Sequence, residues 1–167
     1  MKKIIVPVLF FCIFAVFPVN AANVSFLIIE NGLPVGNQSS EYSIIWENGF
    51  FDILYDLGHI ISNIPIMQVY EKPDENLPYE AERDFEEAKA RGMDFFIIAI
   101  LDYPPARRGA PQNVVLRLFS TKSKDMIYEQ IYSGTTPMSV RDKKYENVKE
   151  AITEFASRLI IEINLRR

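Results

Sequence analysis

The chain has 167 residues, 49% hydrophobic and 24% charged, with 22 acidic against 18 basic side chains. Such a composition excludes a disordered chain, a collagen repeat and a coiled coil, and fits one ordinary globular domain. The apolar character is concentrated at the start, where residues 4 to 19 carry no charge and every carboxylate lies after them.

Lys2 and Lys3 form a positive n-region, Ile4 to Val19 an apolar h-region, and Val19-Asn20-Ala21 places small residues at the −3 and −1 positions of a signal-peptidase site. The run is shorter than the roughly 20 apolar residues of a spanning helix. Residues 1–21 are therefore predicted to be a signal peptide, cleaved between Ala21 and Ala22 and leaving no stable membrane anchor. The single cysteine, Cys12, follows Phe10 and Phe11 rather than the small residues of a lipoprotein signal. Acylation there would strand an apolar tail on the mature protein. The mature chain is then cysteine-free, which excludes disulfides and thiolate metal sites.

Without Lys2 and Lys3, 16 basic side chains face 22 acidic ones, a formal charge of −6. A nucleic-acid binder needs a positive face for phosphate, so that class is excluded, whereas a protein partner is not. An exported chain beginning Met-Lys-Lys and lacking cysteine reads as bacterial, periplasmic or secreted. The remaining 146 residues, 22–167, suit a single α/β domain.

Val24 to Ile29 reads as a strand closed by Asn31-Gly32. Leu33 to Ser40 is a loop, and Ser39 or Ser40 can cap the next element. From Glu41 to Ser62, Trp46, Phe50, Ile53, Leu57 and Ile60 or Ile61 recur at steps of three or four, which predicts a helix running through Gly49 and Gly58. Asn63 and Pro65 end it. Ile64 to Tyr70 reads as a second strand. Pro78 suits the start of a second helix with Ala81, Phe85 and Ala88 inward and Gly92 as its left-handed stop.

Asp94 to Leu101 is nearly continuous apolar sequence and reads as a central strand covered on both faces. Tyr103 to Pro111 is a loop with Pro and Arg. Asn113 to Ser120 and Asp125 to Tyr132 read as strands joined by a connection of hairpin length. Ser139 and Asp142 resemble a capping box before a last helix carrying Val148, Ile152, Phe155, Leu159 and Ile163. The predicted order is β-α-β-α-β-β-β-α, an α/β (α+β) domain with a mixed sheet of about five strands and three amphipathic helices.

The stretch from Ala88 through Gly92 and Asp94 to Ile98, a helix–Gly–x–Asp–strand step followed by a hairpin and a long final helix, resembles a group of bacterial periplasmic domains. That group includes the N-terminal domain of the TolB propeller protein, the curli-secretion lipoprotein CsgG and the penicillin-binding-protein activator LpoB. The resemblance in element order spans most of residues 24 to 165. It implies an adaptor that binds other envelope proteins or assembles into rings, with no catalysis by this domain. This chain departs from the group in having no lipobox and no following propeller or second domain. Neither a membrane anchor nor any site residue is therefore carried over.

Two constellations could carry chemistry. On the first predicted helix Asn48, Asp52, Asp56, His59 and Asn63 recur at helical steps, opposite the apolar stripe, with Glu47 flanking. Asp52, Asp56 and the single histidine, His59, could form a weak metal site in a small hydrolase, or simply the solvated face that any amphipathic helix needs. No phosphate loop, Gly-x-Ser-x-Gly, His-Glu-x-x-His or dinucleotide fingerprint occurs, so neither catalysis nor a cofactor is expected. The second constellation is the loop with Tyr103, Arg107 and Arg108 between prolines, whose stiffness and composition suit a protein interface. The expected function is a non-catalytic adaptor for another envelope protein, with an exposed patch near Arg107. A hydrolase would instead show a cleft at His59, and a carrier of small apolar ligands a closed apolar cavity.

Overall fold

A computed structural model describes residues 21–33, 38–70, 73, 75–104, 109–133 and 144–165. Its elements run β1 (Asn23–Asn31), α1 (Glu41–Asp56), β2 (Ile60–Asn63), β3 (Met67–Val69), α2 (Tyr79–Ala90), β4 (Phe95–Asp102), β5 (Asn113–Ser120), β6 (Met126–Ser133) and α3 (Lys144–Leu165). The six strands form one mixed sheet ordered β2-β1-β4-β5-β6, with β3 also paired to β1. This is the α+β architecture expected from the sequence. The anticipated second strand, Ile64 to Tyr70, is realised as the shorter β3, and β2 is an additional strand at the end of the span predicted as helix. β2 and β3 lie one after the other along the same edge of β1, opposite Asn23 to Phe26 and Ile29 to Asn31. Between them Ile64 still donates to the Phe26 carbonyl at 3.0 Å. Pro65 follows, with no N–H to continue the ladder.

β1 runs parallel to β2, β3 and β4, while β4–β5 and β5–β6 are antiparallel. A parallel strand with neighbours on both sides must be covered on both faces, which explains the unbroken apolar runs of β1 and β4. All eight residues of β4 are buried. Val24, Phe26 and Ile28 face one core with α1 and α3, and Leu27 and Ile29 face a second core with α2. Phe85 of α2 meets Phe96 and Phe119 edge-on, with ring centroids 5.5 and 6.4 Å away. Val148, Ile152, Phe155, Leu159 and Ile163 of α3 are all buried, as their spacing predicts. The proposed capping pair Ser139 and Asp142 lies outside the described residues.

α1 and α3 cross at Gly49, where a Cβ would come within 2.7 Å of Ile152 Cδ1. On the α2 face Arg117, opposite Glu129 in β6, bonds its carboxylate at 2.7 Å and the carbonyls of Glu75 and Asn76 at 2.7 and 2.9 Å. One guanidinium thus joins the hairpin to the segment entering α2.

α1 is shorter than the helix predicted through Ser62. It stops at Asp56 because Gly58 takes φ +80°, its N–H bonding Tyr55 O at 2.8 Å and that of His59 bonding Leu54 O at 3.0 Å. These two bonds form a Schellman termination. α2 ends identically at Gly92, φ +76°, with Gly92 N–H to Lys89 O and Met93 N–H to Ala88 O. The early stop turns His59 out of the helix and starts β2 one residue later.

Candidate functional site

β1 and β4 are adjacent and parallel, yet β1 leads through α1 to the β2 side while β3 leads through α2 to the opposite side. Their carboxyl ends therefore form a point where the strand order reverses, the usual place for a binding site in an open α/β sheet. Glu30, Asn31, Asp102 and Tyr103 sit there, below the loop after β1 and the loop joining β4 to β5.

Glu30 is fully buried. One carboxylate oxygen accepts the Ser40 N–H at 2.6 Å and the other accepts Gln68 Nε2 at 2.9 Å. Ser40 in turn caps α1, its hydroxyl accepting from the Tyr42 N–H at 3.3 Å. A carboxylate is well placed near the positive end of a helix, and both oxygens are satisfied as burial demands. The side chain thus ties β1, α1 and β3 together.

Tyr103 is 4% exposed and shares a 2.8 Å hydrogen bond with the Ser43 hydroxyl, which is itself buried. Burial pushes the phenol up to about 12, so it stays protonated at neutral pH. The Ser43–Tyr103 bond braces α1 against the end of β4. Two main-chain bonds complete the loop base, Tyr103 N–H to Asn31 O at 2.8 Å and Gln112 N–H to Asp102 O at 2.7 Å. Asn31 Nδ2 also donates to Asp102 Oδ1 at 2.9 Å.

The residues singled out in the sequence separate. Tyr103, expected at an interface, is instead the buried foot of its loop. Arg107 and Arg108 lie outside the described residues. Asp52 and Asp56 are on the exposed side of α1, as predicted with Asn48, and Asp52 lies 3.7 Å from Lys149 Nζ of α3. His59 does not join them: it follows the Gly58 turn, is 6% exposed, and its Nδ1 accepts the Ala22 N–H at 3.2 Å. Burial lowers its pKa. Asn63 belongs to β2 and donates to Glu47 Oε1 at 3.0 Å. Among the described residues no three His, Cys, Asp or Glu side chains are grouped to hold a metal ion.

A cleft of about 390 Å³ opens at the break between β2 and β3, lined in part by Ser25, Ser62, Pro65, Asp84, Glu87 and Arg91. Its charged side chains share the lining with apolar Ile64, Ile66, Met67 and Ala88. Sequence reading missed Glu30 and Ser43. A charged residue directly after Phe-Leu-Ile-Ile was the available signal for Glu30, whereas Ser43 had none.

Among the described residues no helix is long and apolar enough to cross a membrane. No protein-family model matches the chain, and no curated protein does. Several solved structures do. The PelC dodecamer from Paraburkholderia phytofirmans has a TM-score of 0.46 and 9% identity, over 80% of this chain and 86% of that one. Lipoprotein GNA1162 from Neisseria meningitidis has a TM-score of 0.40 and 10% identity, over 80% and 99%. TolB from Acinetobacter baumannii, whose family the element order resembles, has a TM-score of 0.42 and 14% identity, over 86% of this chain and 29% of TolB.

Proposed function

We propose that the protein is an exported, non-catalytic binding domain of the bacterial periplasm, or a secreted one, that docks another cell-envelope protein through the β4–β5 loop. Arg107 and Arg108 are the proposed contacts and Tyr103 their anchor. The supporting observation is the bracing of that loop's base at the sheet's reversal point, through Tyr103–Ser43 and Gln112–Asp102. A rigid base lowers the entropy lost on binding.

Replacing Arg107 and Arg108 together by Ser should leave the fold intact. Binding to an envelope protein co-purified with the tagged chain should weaken by about 2 kcal/mol or more if either is a hot spot. Unchanged affinity in the folded double variant would remove the loop from the interface. A second reading places the interface on the outer side of α1, where Ile44, Phe51 and Tyr55 are 39%, 45% and 68% exposed at helical spacing. Phe51→Ser with Tyr55→Ser is the matching test of that surface.

Export rests on the charged n-region, the apolar segment and the Val19-x-Ala21 ending. Supporting it, Ala21 is exposed whereas Ala22 is 5% exposed, directly before β1 starts at Asn23. N-terminal sequencing of the envelope form should begin at Ala22. An intact Met1, or a start at acylated Cys12, would overturn the assignment.

A further inference from the structure

The chain contains one histidine, and the structure buries it against the residue proposed to become the mature N-terminus. Ala22 N–H donates to His59 Nδ1 at 3.2 Å, and Ala22 O accepts the Ile60 N–H at 2.9 Å. Both residues are buried, at 5% and 6% exposure, while Ala21 is exposed. The side chain of Ala22 belongs to the α1/α3 core. His59 is held in place from the other direction by the turn that ends α1, its N–H bonding Leu54 O at 3.0 Å.

We propose that His59 is a docking site for the free amino group of Ala22, so that signal cleavage and the closing of β1 onto β2 are linked; the inference rests on cleavage between Ala21 and Ala22. Hydrolysis of that bond adds one water: its hydroxyl goes to the Ala21 carbonyl carbon and its hydrogen to the Ala22 nitrogen. The resulting amine takes up a solvent proton near neutral pH, since α-amino groups titrate at about 8. An ammonium keeps the donor that Ala22 N–H already aims at Nδ1 and makes the bond charge-assisted, and therefore stronger. One of its new N–H groups takes the place of the bond to Ala21, which is exposed.

Geometry also sets the tautomer and the order of events. Because Nδ1 accepts, the neutral ring carries its proton on Nε2, which is buried without a partner among the described residues. A site this exposed on one side of the scissile bond and this buried on the other is open to a peptidase only before β1 docks. Cleavage therefore precedes docking, and docking then shields the new terminus.

The test is the reactivity of the Ala22 amine. The processed protein is purified from the cell envelope, its first residue is sequenced, and an amine-reactive acylating reagent is applied at pH 7 to native and urea-unfolded samples. The native Ala22 amine should react about tenfold more slowly than the unfolded one, the factor that one pKa unit represents. His59→Leu, with folding checked by circular dichroism, should lose that protection, and His59→Gln, which keeps an acceptor, should retain most of it. A native amine as reactive as the unfolded one, or equal protection in His59→Leu, would overturn the proposal. If sequencing finds another first residue, the processing assignment fails by itself. The same labelling on a chain released at Ala22 from a cleavable fusion then decides the docking. Should His59→Leu not fold, ¹⁵N NMR of the single histidine in the unaltered protein decides: bare Nδ1 with protonated Nε2 supports the proposal, and the opposite tautomer overturns it.

Discussion

Gly32 lies directly against the main-chain carbonyl of Tyr103: a Cβ at position 32 would overlap that oxygen, and the glycine holds φ at +84°. The loop after β1 and the loop after β4 therefore meet backbone to backbone at this point, where the sheet order reverses. Gly32→Ala meets two penalties, since a left-handed conformation costs an L-residue about 1–2 kcal/mol and a main-chain oxygen cannot step aside as a side chain would. The variant should lose about 2 kcal/mol or more in urea unfolding. A loss within the scatter of surface substitutions would show that the two loops part without cost.

Tyr103→Phe removes the hydroxyl bonded to Ser43 and leaves the serine buried without that partner. The expected loss is about 1–3 kcal/mol, readable in the same unfolding experiment. The intact protein should also show the pH signature of a buried phenol. The unfolded chain ionises near 10.0 and the folded one only near 12. The unfolded state thus binds fewer protons in that interval, and stability falls as pH rises through it. Tyr103→Phe should remove that part of the alkaline decline.

His59 gives the opposite slope. Its pKa is lowered by burial from 6.5 in the folded state, so below about that pH the unfolded chain binds the extra proton. The contribution is complete above 6.5 and is lost as the pH falls towards the folded value. His59→Gln should flatten the acid limb of a stability-against-pH curve. Because the ring is buried and not on the solvated helix face, the same substitution should cost about 1–3 kcal/mol at neutral pH, more than an exposed position would.

The α1–α3 crossing is tested by a cycle at Gly49 and Ile152. A Cβ at 49 meets Ile152 Cδ1, the one methyl that Ile152→Val deletes. Alone, Ile152→Val should cost about 0.5–1.5 kcal/mol. In a Gly49→Ala background it should cost less or become favourable, because the valine makes room while alanine improves helix propensity by about 1 kcal/mol. Additive effects would mean that the close approach at Gly49 is not sterically limiting.

Element order, the two-sided burial of β4, the inward stripes of α2 and α3, and a cap at Ser39 or Ser40 were all legible in the chain, because each depends on local periodicity or on a bond within one turn. Gly58 and Gly92 mark the boundary of that legibility. Both stop a helix with φ near +80° and the same pair of bonds. Gly92 is recognisable because its helix is followed by an unmistakable strand, whereas the apolar rhythm beyond Gly58 continues through Ile60 and Ile61 and imitates more helix. Only pairing with Asn23 and Val24 makes those isoleucines strand residues. His59 is displaced with them, from a supposed metal-binding face to the buried partner of Ala22, a residue 37 positions away. Glu30 and Ser43 likewise acquire their roles from Gln68 and Tyr103, which chain folding alone brings within bonding distance. Hydrophobic rhythm encodes which face of a segment turns inward. It carries no record of which buried polar group will meet which, since that depends on register and crossover set by the whole sheet.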